Sequence, residues 1–387
     1  MTFSRERAEI DCRSAAAFEH SGQNASDIEV RLRAADGDGG CALYEPQTSC
    51  TMARITLALL AYNQEHFIES AVRSALAQVC EPIEILVSDD CSPDGTFDRI
   101  QQLVAEYRGP HRAIARRNPE NLGIGRHFNA LMQSAEGRLV VLMAGDDISR
   151  HDRVALTAAA WDRSAERLDL IAAHVVDMDE DGQAFDVKRV HPLQEWRGID
   201  DWTRWRPYVI GAAHAVTRRL FDRFGPLAPD CLQEDQVNTL RAILSGGGHT
   251  IDDALVQYRR GGASTGVHTA TTYRQWEARR SAIHLGVYAQ WIRDAALCGH
   301  EAAVRRAIDP ELQRDLFLTR LLAARSLTEQ LRVVRSHDAV ERNFRLKRLM
   351  KARMFRTYEL ARRLGAALES RRQREPQASA GLTTKAD

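Results

Sequence analysis

The stretch Val140-Val141-Leu142-Met143-Ala144-Gly145-Asp146-Asp147-Ile148 is an apolar run that ends on two adjacent carboxylates. An apolar run of this length closed by glycine reads as a buried strand. Two carboxylates at the end of such a strand are costly to desolvate, and a cation sharing the site lowers that cost. The stretch therefore points to a divalent-metal and diphosphate site. Comparable runs stand at Ile55 to Leu60, Ile83 to Val87, Arg112 to Ala115, Leu170 to Val176, Val209 to Val216 and Ile251 to Tyr258. Helical spacing fills 66–78, 97–107, 126–135, 153–163 and 218–224, and a further helix runs from the Glu234-Asp235 stretch to about Leu244. Strands alternating with helices predict an α/β chain with a mostly parallel central sheet flanked by helices. Ligands of such sheets sit beyond the carboxyl ends of the strands. The turns at 61–65, 88–96 and 144–147 are thus expected to share one crevice.

Length and composition set the outer bounds. The 387 residues suit two domains, or one large domain with appendages. A formal net charge of zero argues against general nucleic-acid binding. No run reaches the roughly 18–20 apolar residues of a membrane span, and Met1 to Ser14 lacks the apolar core of a secretory signal. Seven scattered cysteines without Cys-x-x-Cys spacing fit a reducing cytoplasm. Thirteen histidines without a His-x-x-x-His pair offer no zinc site. Residues 1–51 are polar and aperiodic and read as a disordered extension; Met52, just before the first strand, leaves open that translation starts there. The expected division is then 52–270 as the main domain, 271–374 as a helical region and 375–387 as a disordered tail. Residues 341–374 hold twelve Lys and Arg against three Glu, a net charge of +9, with Phe344, Leu346, Leu349, Met350, Met354, Phe355, Leu360 and Leu364 interspersed. A basic amphipathic helix there can lie on an anionic membrane face; a solvated or partner-binding helix is the alternative.

Read together, five pieces in order resemble the inverting family 2 glycosyltransferases of bacterial cell-surface polysaccharide and glycolipid synthesis. They are Ala61-Tyr62-Asn63-x-Glu65, Ser88-Asp89-Asp90-x-Ser92-x-Asp94-Gly95-Thr96, Asn121-x-Gly123-x-x-Arg126-x-Phe128, Ala144-Gly145-Asp146-Asp147-Ile148, and Glu234-Asp235-Gln236 followed by Tyr258-Arg259-Arg260. The resemblance covers about 54–268 and implies the GT-A fold with a C-terminal helical extension. Two positions depart from the family pattern. Many members carry an acidic residue where this chain has Ala144, and often a His where it has Gly261, with His268 or Arg260 as candidate substitutes.

The resemblance implies transfer of a sugar from a nucleoside-diphosphate donor to an acceptor hydroxyl with inversion. Growing charge on the leaving diphosphate calls for Mn²⁺ or Mg²⁺ held by oxygen ligands. Asp147 is the expected metal ligand, and Asp146 a contact to the donor ribose or sugar. Asp90 would accept a hydrogen bond from the base, as a carboxylate can from a uracil imide. Tyr62 would stack on the base, with Ala61, Asn63 and Glu65 completing the nucleotide turn, and Arg126 would meet the diphosphate. Asp94 and Thr96 read as turn and cap residues. Asp235, with Glu234 beside it at a helix start, is the expected general base. Trp196, Trp202 and Trp205 lie between metal motif and base and are candidates for the acceptor side; core packing is their other reading. The acceptor is expected to be a carbohydrate or a lipid-linked sugar, reached in the cytoplasm or at the inner face of the cell membrane. A nucleotidyltransferase of similar fold, or a nucleotide-sugar-binding scaffold without catalysis, stays open at this point.

Overall fold

The apolar runs that begin at Ile55, Ile83 and Val140 become strands covered on both faces, and the run at Arg112 becomes a partly exposed edge strand. The computed structural model of the chain describes residues 54–261 and 273–354. The expectations for 1–51, for 375–387, for His268 and for the basic helix beyond 354 lie outside the described residues. In β1 (Ile55–Ala61), Leu57 and Leu59 join the core under α1 (Ile68–Leu76), while Ala58 faces the opposite core. Helix α1 buries Ile68, Ala71, Val72 and Ala75, the 3–4 spacing of a single helical stripe. The chain continues through β2 (Glu84–Asp89), α2 (Thr96–Glu106), β3 (Arg112–Arg117), α3 (Ile124–Ser134) and β4 (Leu139–Ala144). β1 lies between β2 and β4, parallel to both, and β2 pairs in parallel with β3. In β4, Leu139, Val141 and Met143 serve one core, and Val140 and Leu142 the other. Two buried faces explain why this strand reads as an unbroken apolar run rather than an alternating one.

The second half is built differently. It comprises β5 (Ile148–Ser149), α4 (Arg153–Arg163), β6 (Leu170–Met178), β7 (Ala184–Lys188), α5 (Ile199–Arg204), β8 (His214–Thr217), α6 (Arg218–Phe224), α7 (Glu234–Ile243) and β9 (Gly248–Arg259). The sheet order is β3-β2-β1-β4-β8-β6-β9-β5, with β7 on β6. β8 runs antiparallel to both β4 and β6, β9 parallel to β6, and β5 antiparallel to β9. The sheet is therefore mixed beyond β4, and the expected parallel character holds for the first half. A short apolar run carries no strand direction, which only its connections decide. The expected strand at 209–216 shrinks to β8, because Gly211–Ala213 form a 3₁₀ turn. β7, in a segment that reads as loop, is exposed at all five residues.

Four helices follow: α8 (Tyr273–Leu297), α9 (Glu301–Ala323), α10 (Leu327–Ser336) and α11 (Arg342–Arg353). α8 is joined to α7 by a fully buried ion pair, Arg241 Nε to Asp294 Oδ2 at 2.6 Å. Trp291 and Ile308 share a core cluster with Phe128 and Phe221, so helices α8 and α9 complete the main core. Among the described residues, no helix is long and apolar enough to cross a membrane.

Candidate active site

The turns after β1 and β2 are laced together by short polar side chains. Asn63, in the left-handed region at φ 55°, donates its N–H to Ser92 Oγ at 2.9 Å. The N–H of Gln64 reaches Thr96 Oγ1 at 2.8 Å, and that of Glu65 reaches Asp94 Oδ2 at 3.1 Å. Glu65 returns the contact by accepting from Gly95 N, and the carbonyl of Ala61 accepts from Asp90 N. Ala61, Asn63 and Glu65 thus shape the turn, and Tyr62 at its tip is left 41% exposed. Asp90 is buried and accepts three bonds: from Asn118 Nδ2 and Leu122 N at Oδ1, and from Gly123 N at Oδ2. These bonds tie the 118–123 loop to the end of β2, and one acceptor position of the carboxylate stays open among the described residues. Beneath it, Ser88 Oγ sits 2.7 Å from His127 Nε2. Burial, with the Arg116 charge adding to it, lowers the His127 pKa to about 4 against the opposing pull of Asp90, so the imidazole is neutral. Arg126 lies on the surface at the start of α3, its Nε donating to Leu122 O.

The Gly145-Asp146-Asp147 turn seats against the first turn. A methyl at Gly145 would stand 2.4 Å from Gln64 Oε1 and about as close as contact permits to Ile68 and Ala61, so only glycine lets these two turns touch. Both aspartates are 1% exposed. Arg259, at the end of β9, holds the turn from behind: its backbone N–H donates to Asp147 Oδ1 at 2.8 Å and its Nε to the Asp146 carbonyl at 3.0 Å. Its guanidinium lies over the Phe67 ring, 4.5 Å from the centroid. Among the described residues, Asp147 Oδ2 has no hydrogen-bond partner, and neither have the nearby buried Arg153 Nη1 and His214 Nε2. Burial, reinforced by the charge of Asp146, pushes Asp147 well above the usual carboxylate range despite the opposing pull of Arg153 and Arg259. A buried oxygen without a donor, in a carboxylate that resists ionisation, fits a hard cation. Among the described residues no three His, Cys, Asp or Glu gather as a metal cluster; the chain offers this pair, and further oxygen ligands would come from the donor itself. Sequence reading missed Arg153 and Arg259. The Tyr258-Arg259-Arg260 motif marks the second, but its long-range contact with the turn is a property of the β5–β9 pairing.

The other carboxylate pair opens α7. Glu234 and Asp235 are partly exposed, and burial is the main cause that lifts their pKa values to about 8 and about 6. The helix dipole, which favours the charged form, does not offset that desolvation. Asp235 Oδ1 accepts from the neighbouring Gln236 N at 2.7 Å. A methyl at Gly211 would fall 2.5 Å from Glu234 Oε1, so glycine lets the 3₁₀ turn pack against both acids. Tyr208, three residues earlier and 40% exposed, is raised by burial and by the charge of Asp235. Burial, with the charges of Asp147 and Asp146 adding to it, likewise raises Tyr258. Arg260 is engaged by Asp177, Nη2 to Oδ2 at 2.6 Å.

The tryptophans separate. Trp202 is 1% exposed and packs edge-on against Trp291, with ring centroids 5.0 Å apart. It is a core residue with no face for a sugar, which corrects its placement on the acceptor side. Trp196 is also buried, donating Nε1 to Trp205 O. Trp205 is 57% exposed and stacks near His191, which in turn exchanges backbone and ring hydrogen bonds with Tyr208.

Residues 56–224 match the family model described as glycosyl transferase family 2. The chain is 34% identical over 126 residues to the succinoglycan biosynthesis protein ExoO of Rhizobium meliloti, covering 32% of this chain and 34% of that one. It is 30% identical over 149 residues to abequosyltransferase RfbV of Salmonella typhimurium, covering 38% and 42%. The first relatives of this kind are matched over 27–42% of their own length. Among solved structures, S. aureus TarS in complex with UDP-GlcNAc superposes with a TM-score of 0.49 at 16% identity, over 81% of this chain and 92% of that one. A mannosyltransferase from Pyrobaculum calidifontis in complex with GDP-Man and Mn²⁺ gives 0.47 at 20% identity, over 79% and 87%.

Proposed function

We propose, from the premise that the chain belongs to glycosyl transferase family 2 through residues 56–224, that it transfers a sugar from a nucleoside diphosphate to an acceptor hydroxyl with inversion. We take its two acidic pairs, Asp146-Asp147 and Glu234-Asp235, to serve one donor and acceptor site, and their different surroundings suit different roles. The observation that carries the reading is the buried Asp147 carboxylate, with an oxygen that lacks a donor among the described residues, in a Gly145-Asp146-Asp147 turn seated against the 61–65 turn.

In this reading Tyr62 stacks on the base, and Asp90 accepts from it at its remaining position. Arg126 faces the diphosphate, and Asp146 the ribose or sugar. Asp147 would hold Mn²⁺ or Mg²⁺. When bound, the ion supplies positive charge against the leaving diphosphate. Asp235 takes the proton of the acceptor hydroxyl as that oxygen attacks the anomeric carbon. Its raised pKa makes it a better proton acceptor near neutral pH than an ordinary aspartate. Glu234, higher still, stays largely protonated and keeps a second negative charge away from Asp235. Trp205 and Tyr208 offer ring faces for the acceptor, which we take to be a carbohydrate or lipid-linked sugar of the cell surface. The relatives named for succinoglycan biosynthesis and for abequosyl transfer support that class, and we place the work at the inner face of the cell membrane.

The test is donor binding and donor hydrolysis with Mn²⁺ across a panel of UDP, GDP and dTDP sugars. Asp147→Ala is expected to lose metal-dependent binding. Asp235→Asn is expected to bind donor as the parent does and to turn over about 10²–10⁴-fold more slowly. Unchanged turnover in both variants, with binding intact, would instead identify a non-catalytic nucleotide-sugar scaffold.

A further inference from the structure

Helix α11 is the one element from α8 onward whose residues are all at least partly open to solvent, with none buried. It still has two faces. Phe344, Leu349 and Ala352 pack on the small core formed by Phe317, Leu318, Leu321, Val334 and Val340. The opposite face holds Arg342, Asn343, Leu346, Lys347, Met350, Arg353 and Met354, all exposed. Leu346, Met350 and Met354 are 41%, 62% and 52% exposed, and their spacing of four aligns them in one stripe along the helix. Solvent alone does not favour three large apolar side chains in line on a surface helix.

The charge on this face has one sign. The segment Arg342–Arg353 contains six Lys and Arg and no Asp or Glu. Glu341, just ahead of it, is held by Arg314 at 2.6 Å, and Asp338 is turned toward Arg345. An apolar stripe flanked by cations, on a helix already anchored by its other side, is suited to lie in the plane of a membrane interface. A nucleic acid would match the charge but not the stripe, and an apolar protein groove would match the stripe but not the surrounding cations.

We propose that the exposed face of α11 docks on an anionic phospholipid surface, with Leu346, Met350 and Met354 inserted among the acyl chains and Arg342, Lys347 and Arg353 on the headgroups. This deepens the membrane location proposed above by naming the surface and the lipid class. It stands on the helix itself, so its failure would leave the transferase reading untouched.

The test is co-sedimentation of the full chain with vesicles of phosphatidylcholine alone, or of phosphatidylcholine with phosphatidylglycerol. The chain is expected to pellet with the anionic vesicles only and to be released by high salt. Leu346→Glu/Met350→Glu is expected to weaken vesicle binding at least tenfold while donor binding and the thermal midpoint stay at parental values. Lys347→Glu/Arg353→Glu tests the cations separately, and each charge near an anionic surface is worth roughly fivefold. A chain that stays in the supernatant with both vesicles overturns the proposal. So does equal binding to both, or pelleting of both double variants at the parental level.

Discussion

The carboxylates of the proposed donor and acceptor ends are held in opposite ways. At the proposed donor end, Asp89, Asp90 and Asp94 accept hydrogen bonds from backbone N–H groups, hydroxyls and the Asn118 amide. At the acceptor end, Glu234 and Asp235 are given few partners and are pushed upward by burial. Asp147 stands between these regimes, with one oxygen fixed by Arg259 and the other without a donor. A satisfied carboxylate stabilises the fold and is a poor base. An unsatisfied one weakens the fold and is available for chemistry.

That contrast breaks if substitutions at the two ends have the same effect. The largest expected difference is in turnover, where Asp235→Asn lowers the rate by about 10²–10⁴-fold with little change in thermal midpoint. Among the tryptophans, Trp202→Ala should cost about 3–5 kcal/mol of unfolding free energy in denaturant titration. Trp205→Ala should leave stability near the parental value and raise KM for the acceptor alone. Asp90→Ala should cost about 1–3 kcal/mol, because it strands the N–H group of Leu122 and the Asn118 amide, and should weaken donor binding as well. The last difference is a slope. The folded pKa of Glu234, about 8 against an ordinary 4.5, means that the folded state holds a proton that the unfolded chain releases. The stabilising contribution is whole below pH 4.5 and is lost as pH rises through about 8. Thermal midpoints measured across that window should fall less steeply in Glu234→Gln than in the parent.

Much of the donor end is legible in the sequence because its contacts are local. Strand, turn and helix starts follow from apolar runs closed by Asn, Asp, Ser and Gly, and the bonds that lace 61–65 to 92–96 join two such turns. Asp94 and Thr96 have the structural role that their residue types suggest. The acceptor end is less legible because it is assembled from distant pieces. Arg259 reaches Asp147 across 112 positions, and the reversal at β8 depends on pairing that no local period encodes. Trp196, Trp202 and Trp205 share one composition-level reading, yet their exposures run from 1% to 57%. Burial of an amphipathic aromatic is decided by what packs on it, here Trp291 from a helix nearly ninety positions later.

The most direct test of the division between building and reacting carboxylates is the pH dependence of single-turnover sugar transfer. In the parent, the rate should rise with the ionisation of Asp235 through about pH 6 and then level off, and in Asp235→Asn the residual rate should lose that step. A parental step at pH 6 that survives in Asp235→Asn would contradict the account and assign the proton acceptor elsewhere.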